Sequence, residues 1–254
     1  MAKERNLLWL VTMACSVLAL LCVFPDLLCG KKVKWLKLVY IPPGEFMMGM
    51  RGLSQHKVRI TKGFYMGAYE VTQAQWQEVM ATNPSHYKGV DLPVDTVSWE
   101  DATEFCRKLS QKEGKTYRLP TDAEWEYACR AGTTTDYYFG DGYSQVSHYA
   151  WYGGNSGDKS HPVGKKKPNG FGLYDMTGNV WEWCSDWYEG DAYRKRGGRV
   201  VRNPAGPKRG EYRILRGGSW YNDRNTVRCA FRNRVNRDTR YAHHGFRVAR
   251  GSLR

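Results

Sequence analysis

The chain has 254 residues, of which 41% are hydrophobic, 14% aromatic and 25% charged, with 27 Gly, 10 Trp and 17 Tyr. So many aromatics exclude a disordered chain, and the lack of a Gly-x-y period or sustained heptads excludes collagen and coiled coil. Only one long apolar stretch occurs, which excludes a polytopic membrane protein. The formal net charge of +14 is unevenly spread. Residues 1–190 hold 21 basic and 21 acidic residues, whereas residues 191–254 hold 18 basic residues, 16 of them Arg, against 4 acidic ones. Such an end is either a surface for an anionic partner or a set of guanidinium groups bonded to carbonyls inside a loop-rich region. No helix-turn-helix, zinc-finger or RNA-recognition pattern is present, so nucleic acid is not the expected partner.

At the amino terminus, Lys3 and Arg5 precede an uncharged apolar run at residues 7–24. That is the pattern of an export signal or a single membrane anchor. Cys15, Cys22 and Cys29 are candidate lipidation sites, and cleaved, lipidated and retained forms all remain open. Residues 1–30 are therefore set apart from a domain at residues 31–254. The domain keeps Cys106, Cys129, Cys184 and Cys229, without a C-x-x-C pair, and its six His show no i, i+4 spacing. A tetrahedral zinc site is not expected. In an oxidising compartment some of the cysteines can pair.

Residues 39–50 alternate around Pro42-Pro43-Gly44 and read as strand, turn and strand. Residues 56–60 alternate polar and apolar and read as another strand. Thr72-Gln-Ala-Gln75 is a capping box opening a helix to about Met80, stopped by Asn83-Pro84. Ser98 opens a second helix whose buried face is Ala102, Phe105, Cys106 and Leu109, ended by Gly114. Thr121-Asp-Ala-Glu124 opens a third, short helix carrying Trp125, Tyr127, Ala128 and Cys129 up to Gly132. Residues 133–172 read as loop with short strands. Strand-like pieces return at residues 213–215 and 245–249. Trp76, Trp99, Trp125, Trp181 and Trp183 are the expected core aromatics.

Eight phrases then occur in one family's order. They are Phe46-Met-Met-Gly49; Gly63-Phe-Tyr-Met-Gly67 with Glu70-Val-Thr72; Pro93-Val94 with Val97-Ser-Trp99; and Arg118-Leu-Pro-Thr-Asp-Ala-Glu-Trp-Glu-Tyr127. Asn169-Gly-Phe-Gly-Leu-Tyr174, Gly178-Asn-Val-Trp-Glu-Trp183, Arg216-Gly-Gly-Ser219 and Gly245-Phe-Arg247 complete the set. Over about residues 38–251 the chain resembles the formylglycine-generating-enzyme (sulfatase-modifying factor) family. The resemblance implies an α+β fold, a single C-type-lectin-like domain with little regular secondary structure.

In that family the enzyme oxidises a sulfatase cysteine to formylglycine, using two cysteines after R-G-G-S that hold copper(I). Soft thiolates suit soft copper(I). Here Asn222 stands at the first cysteine position and no Cys stands at the second, where the chain is about three residues shorter. The resemblance thus implies no copper and no formylglycine-generating activity; the alternative is an oxidase in which Cys184 and Cys229 substitute. Of the family's two bridges, one lacks a partner because Val248 faces Cys106, which leaves Cys106 a buried free thiol. The other is implied for Cys129 and Cys229. A structural calcium site is implied at Asp175, Gly178, Val180 and Glu182, which offer carboxylate and carbonyl oxygens. The family's second calcium site is not carried over, because Tyr149 replaces its first ligand.

Without the copper pair, the resemblance implies a binding module for a protein or glycan ligand at the cell surface. Its face is expected at Trp220, Tyr221, Asn222, Asp223 and Arg224, with Asn233, Arg234, Asn236, Arg237, Asp238, Arg240, Tyr241, His243 and His244. Tyr, Asn, Arg and His are paratope-like residues. The segment at residues 220–244 also resembles the variable region of retroelement-diversified proteins, held in an R-G-G-S to G-F-R frame.

Overall fold

The computed structural model describes residues 36–195 and 199–251. The apolar run at residues 7–24 and the candidate lipidation cysteines lie outside them. The first strands are β1 (Leu38–Ile41), β2 (Gly44–Met48), β3 (His56–Ile60) and β4 (Phe64–Gly67). β1 and β2 are close in sequence yet join different sheets: β1 pairs antiparallel with β4, and β2 with β3. Pro42 and Pro43 between them have no N–H to donate, so no ladder can continue through the turn.

Three helices follow, each opened by a reciprocal cap, expected at Thr72 and Thr121 and found also at Ser98. In α1 (Gln73–Met80) the Thr72 hydroxyl accepts from Gln75 N, and the Gln75 side chain accepts from Thr72 N. Ser98 and Asp101 do the same for α2 (Trp99–Glu113), and Thr121 and Glu124 for α3 (Asp122–Arg130). Each cap is worth about 0.5–2 kcal/mol. α1 ends at Ala81 with φ 60°, one turn before Pro84 can act. The α2 face is as spaced: Ala102, Phe105, Cys106 and Leu109 are buried, with Phe105 stacked on Trp76 at 5.5 Å. Trp76, Trp125, Trp181 and Trp183 are buried core residues. Trp99 departs from the expectation. It opens α2 half-exposed, donates Nε1 to the Cys184 carbonyl, and carries the Arg213 guanidinium on its ring at 3.6 Å.

After β5 (Tyr117–Arg118) and α3 comes a long irregular stretch. It contains a 3₁₀ turn at Tyr143–Gln145 and one helical turn at Val146–Tyr149. The short strands expected there reduce to single bridges, Tyr137 to Gly140 and Trp151 to Gly178. Its backbone groups are satisfied by side chains instead. Asn169 donates Nδ2 to the carbonyls of Ala128 and Cys129, and its Oδ1 accepts from Phe171 N and Leu173 N.

The chain then enters β6 (Trp181–Trp187), which the sequence reading missed. β7 (Val201–Arg202), β8 (Tyr212–Arg216), β9 (Asn233–Asn236), β10 (His244–Gly245) and β11 (Ala249–Gly251) complete three small sheets. Their orders are β1-β4-β11-β5, β10-β6-β8-β9 and β2-β3-β7. The first four residues of β6 are all buried, so it shows no polar–apolar alternation. The mixed architecture agrees with the α+β lectin-like expectation.

Candidate ligand-binding face

Below the expected face lies a buried ionic layer. β8 delivers Arg216, fully buried, into contact with α3: Nε donates to Asp122 Oδ1 at 2.5 Å and Nη2 to Glu126 Oε2 at 2.6 Å. Its Nη1 donates to the carbonyls of Cys229 and Phe231, both at 3.0 Å. Arg130 and Arg232 complete the layer on Glu126 and Asp122. A second pair joins Arg247 to Glu182, two contacts of 2.6 Å, with Trp125 Nε1 on the same carboxylate at 2.7 Å. Asp186, at the edge of this layer, is pushed up to about 7 by burial and by the Asp122 charge.

From Arg216 the chain turns through two glycines. A Cβ on Gly218, whose φ is 74°, would lie 2.6 Å from Val227 Cγ1, so only glycine fits. The turn presents Trp220, held by Trp220 N on the Asn179 carbonyl, by Ser156 Oγ on the Trp220 carbonyl and by Trp220 Nε1 on the Ala242 carbonyl. Tyr221 follows, 67% exposed. Its ring lies 5.9 Å from His243 at an interplanar angle of 16°, and Tyr241 lies 5.4 Å from His243 at 16°. Tyr241, His243 and Tyr221 thus form a staircase of near-parallel rings, with Trp220 edge-on to it. His244 packs beneath, edge-on to Trp183, and burial pushes it down to about 3. Both histidines are held toward their neutral forms by burial.

The fourteen residues expected at the face fall into groups rather than one wall. Trp220, Tyr221, Tyr241, His243 and His244 form the ring cluster. Asn222 is bound into its own turn: its Oδ1 accepts from Ser219 Oγ at 2.7 Å and its carbonyl from Gly153 N at 2.8 Å. Asp223 caps Thr226. Arg224 lies over Tyr143 at 4.5 Å. Asn233, Arg234 and Asn236 lie on β9, paired with β8. Asn236, Arg237 and Asp238 line a groove of about 440 Å³ with Trp187, Arg209, Gly210 and Glu211. Arg237 and Arg240 reach α2, where they pair with Glu100 and Asp101 at 2.8 Å each.

Sequence reasoning missed Tyr87, whose ring meets Trp220 edge-on at 5.9 Å, and Tyr143, which takes Arg224 and Arg228. Both come from distant loops with no periodic signal. Of the two readings of the basic tail, the internal one accounts for four of its arginines: Arg213, Arg216, Arg247 and Arg250 are buried.

All four described cysteines are buried. Burial pushes Cys106 up to about 12, and Cys129 and Cys184 also upward. Burial thus disfavours, at these three, the thiolate form that binds metals. Cys129 and Cys229 bring their sulfurs to 3.3 Å, in contact but beyond the 2.05 Å of a bond. Cys106 is buried, as implied.

Of the four donors expected for calcium, Glu182 is already engaged by a cation, whereas Asp175 keeps one oxygen unpartnered. Both Glu182 oxygens face Arg247, which already supplies the positive charge. Asp175 Oδ2 accepts from Gly164 N at 2.7 Å, and only its Oδ1 is unpartnered. Burial pushes Asp175 up to about 6. Gly178, with φ 84°, is fixed by the close approach of Trp151, whose carbonyl a Cβ would meet at 2.1 Å. No group of three His, Cys, Asp or Glu suited to a metal occurs among the described residues.

The family model for the sulfatase-modifying factor enzyme 1-like domain matches residues 28–252. The chaperone protein LppX of Paenibacillus barcinonensis is 31% identical over 263 residues, covering 84% of this chain and 89% of that protein. The formylglycine-generating enzyme of Mus musculus is 30% identical over 291 residues, covering 85% and 76%. Among solved structures, Treponema denticola variable protein 1 superposes with a TM-score of 0.80 at 33% identity, covering 85% of this chain and 95% of that one. PvdO from Pseudomonas aeruginosa superposes with 0.75 at 29% identity, covering 85% and 94%. The matched span takes in all three caps, both buried arginine pairs and the ring cluster, and the chain belongs to the sulfatase-modifying factor (formylglycine-generating enzyme) family.

Proposed function

We infer that this chain is an exported or membrane-associated ligand-binding module on a formylglycine-generating-enzyme fold, and not an oxidase. One observation carries the reading: Asn222, bound into its own turn, stands where the resemblance places a copper ligand, while every described cysteine is buried. Amide and carboxylate oxygens are hard donors and do not replace two thiolates. What remains at the surface is a rigidly supported cluster of rings on loops, the usual setting for recognition. The likeness to a protein described as variable supports reading residues 220–244 as a diversified segment in a constant frame. The apolar run at residues 7–24 supports export, with cleavage, lipidation or retention as its possible fates.

The test pairs two assays on the full chain. Copper(I) titration with oxygen consumption on a peptide containing C-x-P-x-R should show neither stoichiometric binding nor aldehyde. A screen of protein and glycan ligands should return one whose binding falls in Tyr221→Ala and Asn222→Ala. Aldehyde formation would overturn the reading. A near-copy of the coding segment beside a reverse-transcriptase gene would support diversification, and its absence would count against it.

A further inference from the structure

Arginines of the carboxy-terminal quarter cap tyrosine rings from several parts of the domain. Arg224 and Arg228 lie over Tyr143 at 4.5 and 5.8 Å, and Arg232 over Tyr188 and Tyr193 at 5.0 and 4.5 Å. Arg234 lies over Tyr188 and Tyr212, and Arg250 over Tyr65 and Tyr117. Tyr221 and Tyr241 break this pattern. They are the most exposed tyrosines among the described residues, at 67% and 53%, and no described cation lies over either ring. The arginines that flank them in sequence are drawn elsewhere: Arg224 to Tyr143, Arg237 to Glu100 and Arg240 to Asp101.

The positive excess of the chain is absent around these rings. The loops at residues 220–224 and 237–243 carry Arg224, Arg237 and Arg240 against Asp223 and Asp238, and the start of α2 adds Glu100 and Asp101. These three arginines and Arg213, which also acts on Glu100, meet four carboxylates, and Asp238 is in no ion pair within the described residues. His243, held toward its neutral form by burial, adds no compensating charge near pH 7. A ring face attracts a cation through its quadrupole, arginine most often, and the attraction grows when the pair is desolvated. A flat guanidinium also stacks on a flat ring where an ammonium cannot.

We propose that the Tyr221–His243–Tyr241 staircase takes arginine side chains from an extended segment of a protein partner, supplying in trans the cap that other tyrosines of the domain receive in cis. The assignment rests on the binding-face reading above and narrows it to a cationic protein. It differs from the acidic partner that the net charge of +14 would suggest.

The probe is a fluorescein-labelled glycine–serine peptide bearing three spaced arginines, with matched peptides in which citrulline or lysine replaces them. Citrulline keeps the flat shape and removes the charge. Anisotropy with the full chain in detergent at low salt should show the arginine peptide at least fivefold tighter than the citrulline peptide, with lysine between. Tyr221→Ala with Tyr241→Ala should abolish that preference, Tyr221→Phe with Tyr241→Phe should keep it, and Asp238→Asn should weaken it two- to threefold. Both rings are exposed, and circular dichroism verifies the fold of each variant. Equal affinity for arginine and citrulline, no detectable arginine binding, or a preference surviving the double alanine variant would overturn the proposal. A neutral or sulfated oligosaccharide bound by the tyrosines would overturn the arginine assignment while leaving the face intact. Ligand binding indifferent to Tyr221, Tyr241 and Asn222 together would overturn the face itself.

Discussion

Arg216 and Arg240 belong to the same basic tail, yet their settings differ completely. Arg216 is buried between Asp122 and Glu126, with two carbonyls taking its remaining donors. Arg240 lies at the surface and meets Asp101 at a half-exposed ion pair. The first ties β8 to α3 and underlies the turn that presents Trp220; the second trims the charge around an open cluster of rings. A buried charge is costly unless fully satisfied, and an exposed pair contributes little to stability. The interior should therefore be intolerant of change and the face tolerant of it, as a diversifiable recognition surface requires.

Several measurements sharpen or break that contrast. The largest effect is expected at Cys129 and Cys229, whose sulfurs are in contact. Oxidation to a disulfide would close a loop of about 100 residues and add roughly 4–5 kcal/mol by the chain-entropy model. Non-reducing peptide mapping should find the bridge in exported protein, and a reductant or Cys229→Ser should lower the denaturation midpoint.

Next comes Arg216→Met, which takes from each of two buried carboxylates one of its two arginines. A loss of about 3–5 kcal/mol is expected, read from chemical denaturation, and Arg216→Lys should recover little because a lysine cannot reproduce the fork. A nearly stable Arg216→Met protein would erase the contrast between interior and face.

A smaller effect concerns pH. Asp186 titrates near 7 in the folded protein, far above an unfolded aspartate. Between about pH 4 and 7 the folded state keeps a proton that the unfolded state has released, so this group's stabilising contribution is lost as pH rises through that window. Asp186→Asn should remove a slope of up to about 1.4 kcal/mol per pH unit from the stability curve. His244 acts in the opposite sense: its folded value of about 3 lies below the unfolded one, so its contribution is lost as pH falls below about 6.5.

At the face itself, Tyr221→Ala and Tyr241→Ala should each change stability by no more than about 0.5 kcal/mol, while ligand binding falls. Calcium against chelator should move the melting temperature least of all, by no more than about 1 °C, because Arg247 already occupies Glu182. A rise of several degrees would show that Asp175 and the neighbouring carbonyls do recruit the ion.

Much of the scaffold was legible in the sequence because it is written locally. Two capping boxes and Ser98 marked the helix starts, the spacing of Phe105, Cys106 and Leu109 fixed the buried side of α2, and alternation at residues 56–60 fixed β3. β6 escaped because burial on both faces erases the two-residue period. The site was legible in membership more than in layout. Tyr221, Tyr241 and His243 do come together, but Asn222 spends its side chain on its own turn, and Asn233 and Arg234 belong to an edge strand.

The sequence by itself determined the helix boundaries, the family frame and the lack of thiols where the resemblance expects a copper pair, because each depends on residue identity and short spacing. Only the tertiary structure decided which arginines face inward, which carboxylates they neutralise and which two tyrosines are left open. Those outcomes depend on which chain segments, distant in sequence, come within hydrogen-bond reach of one another, and local patterns do not encode that.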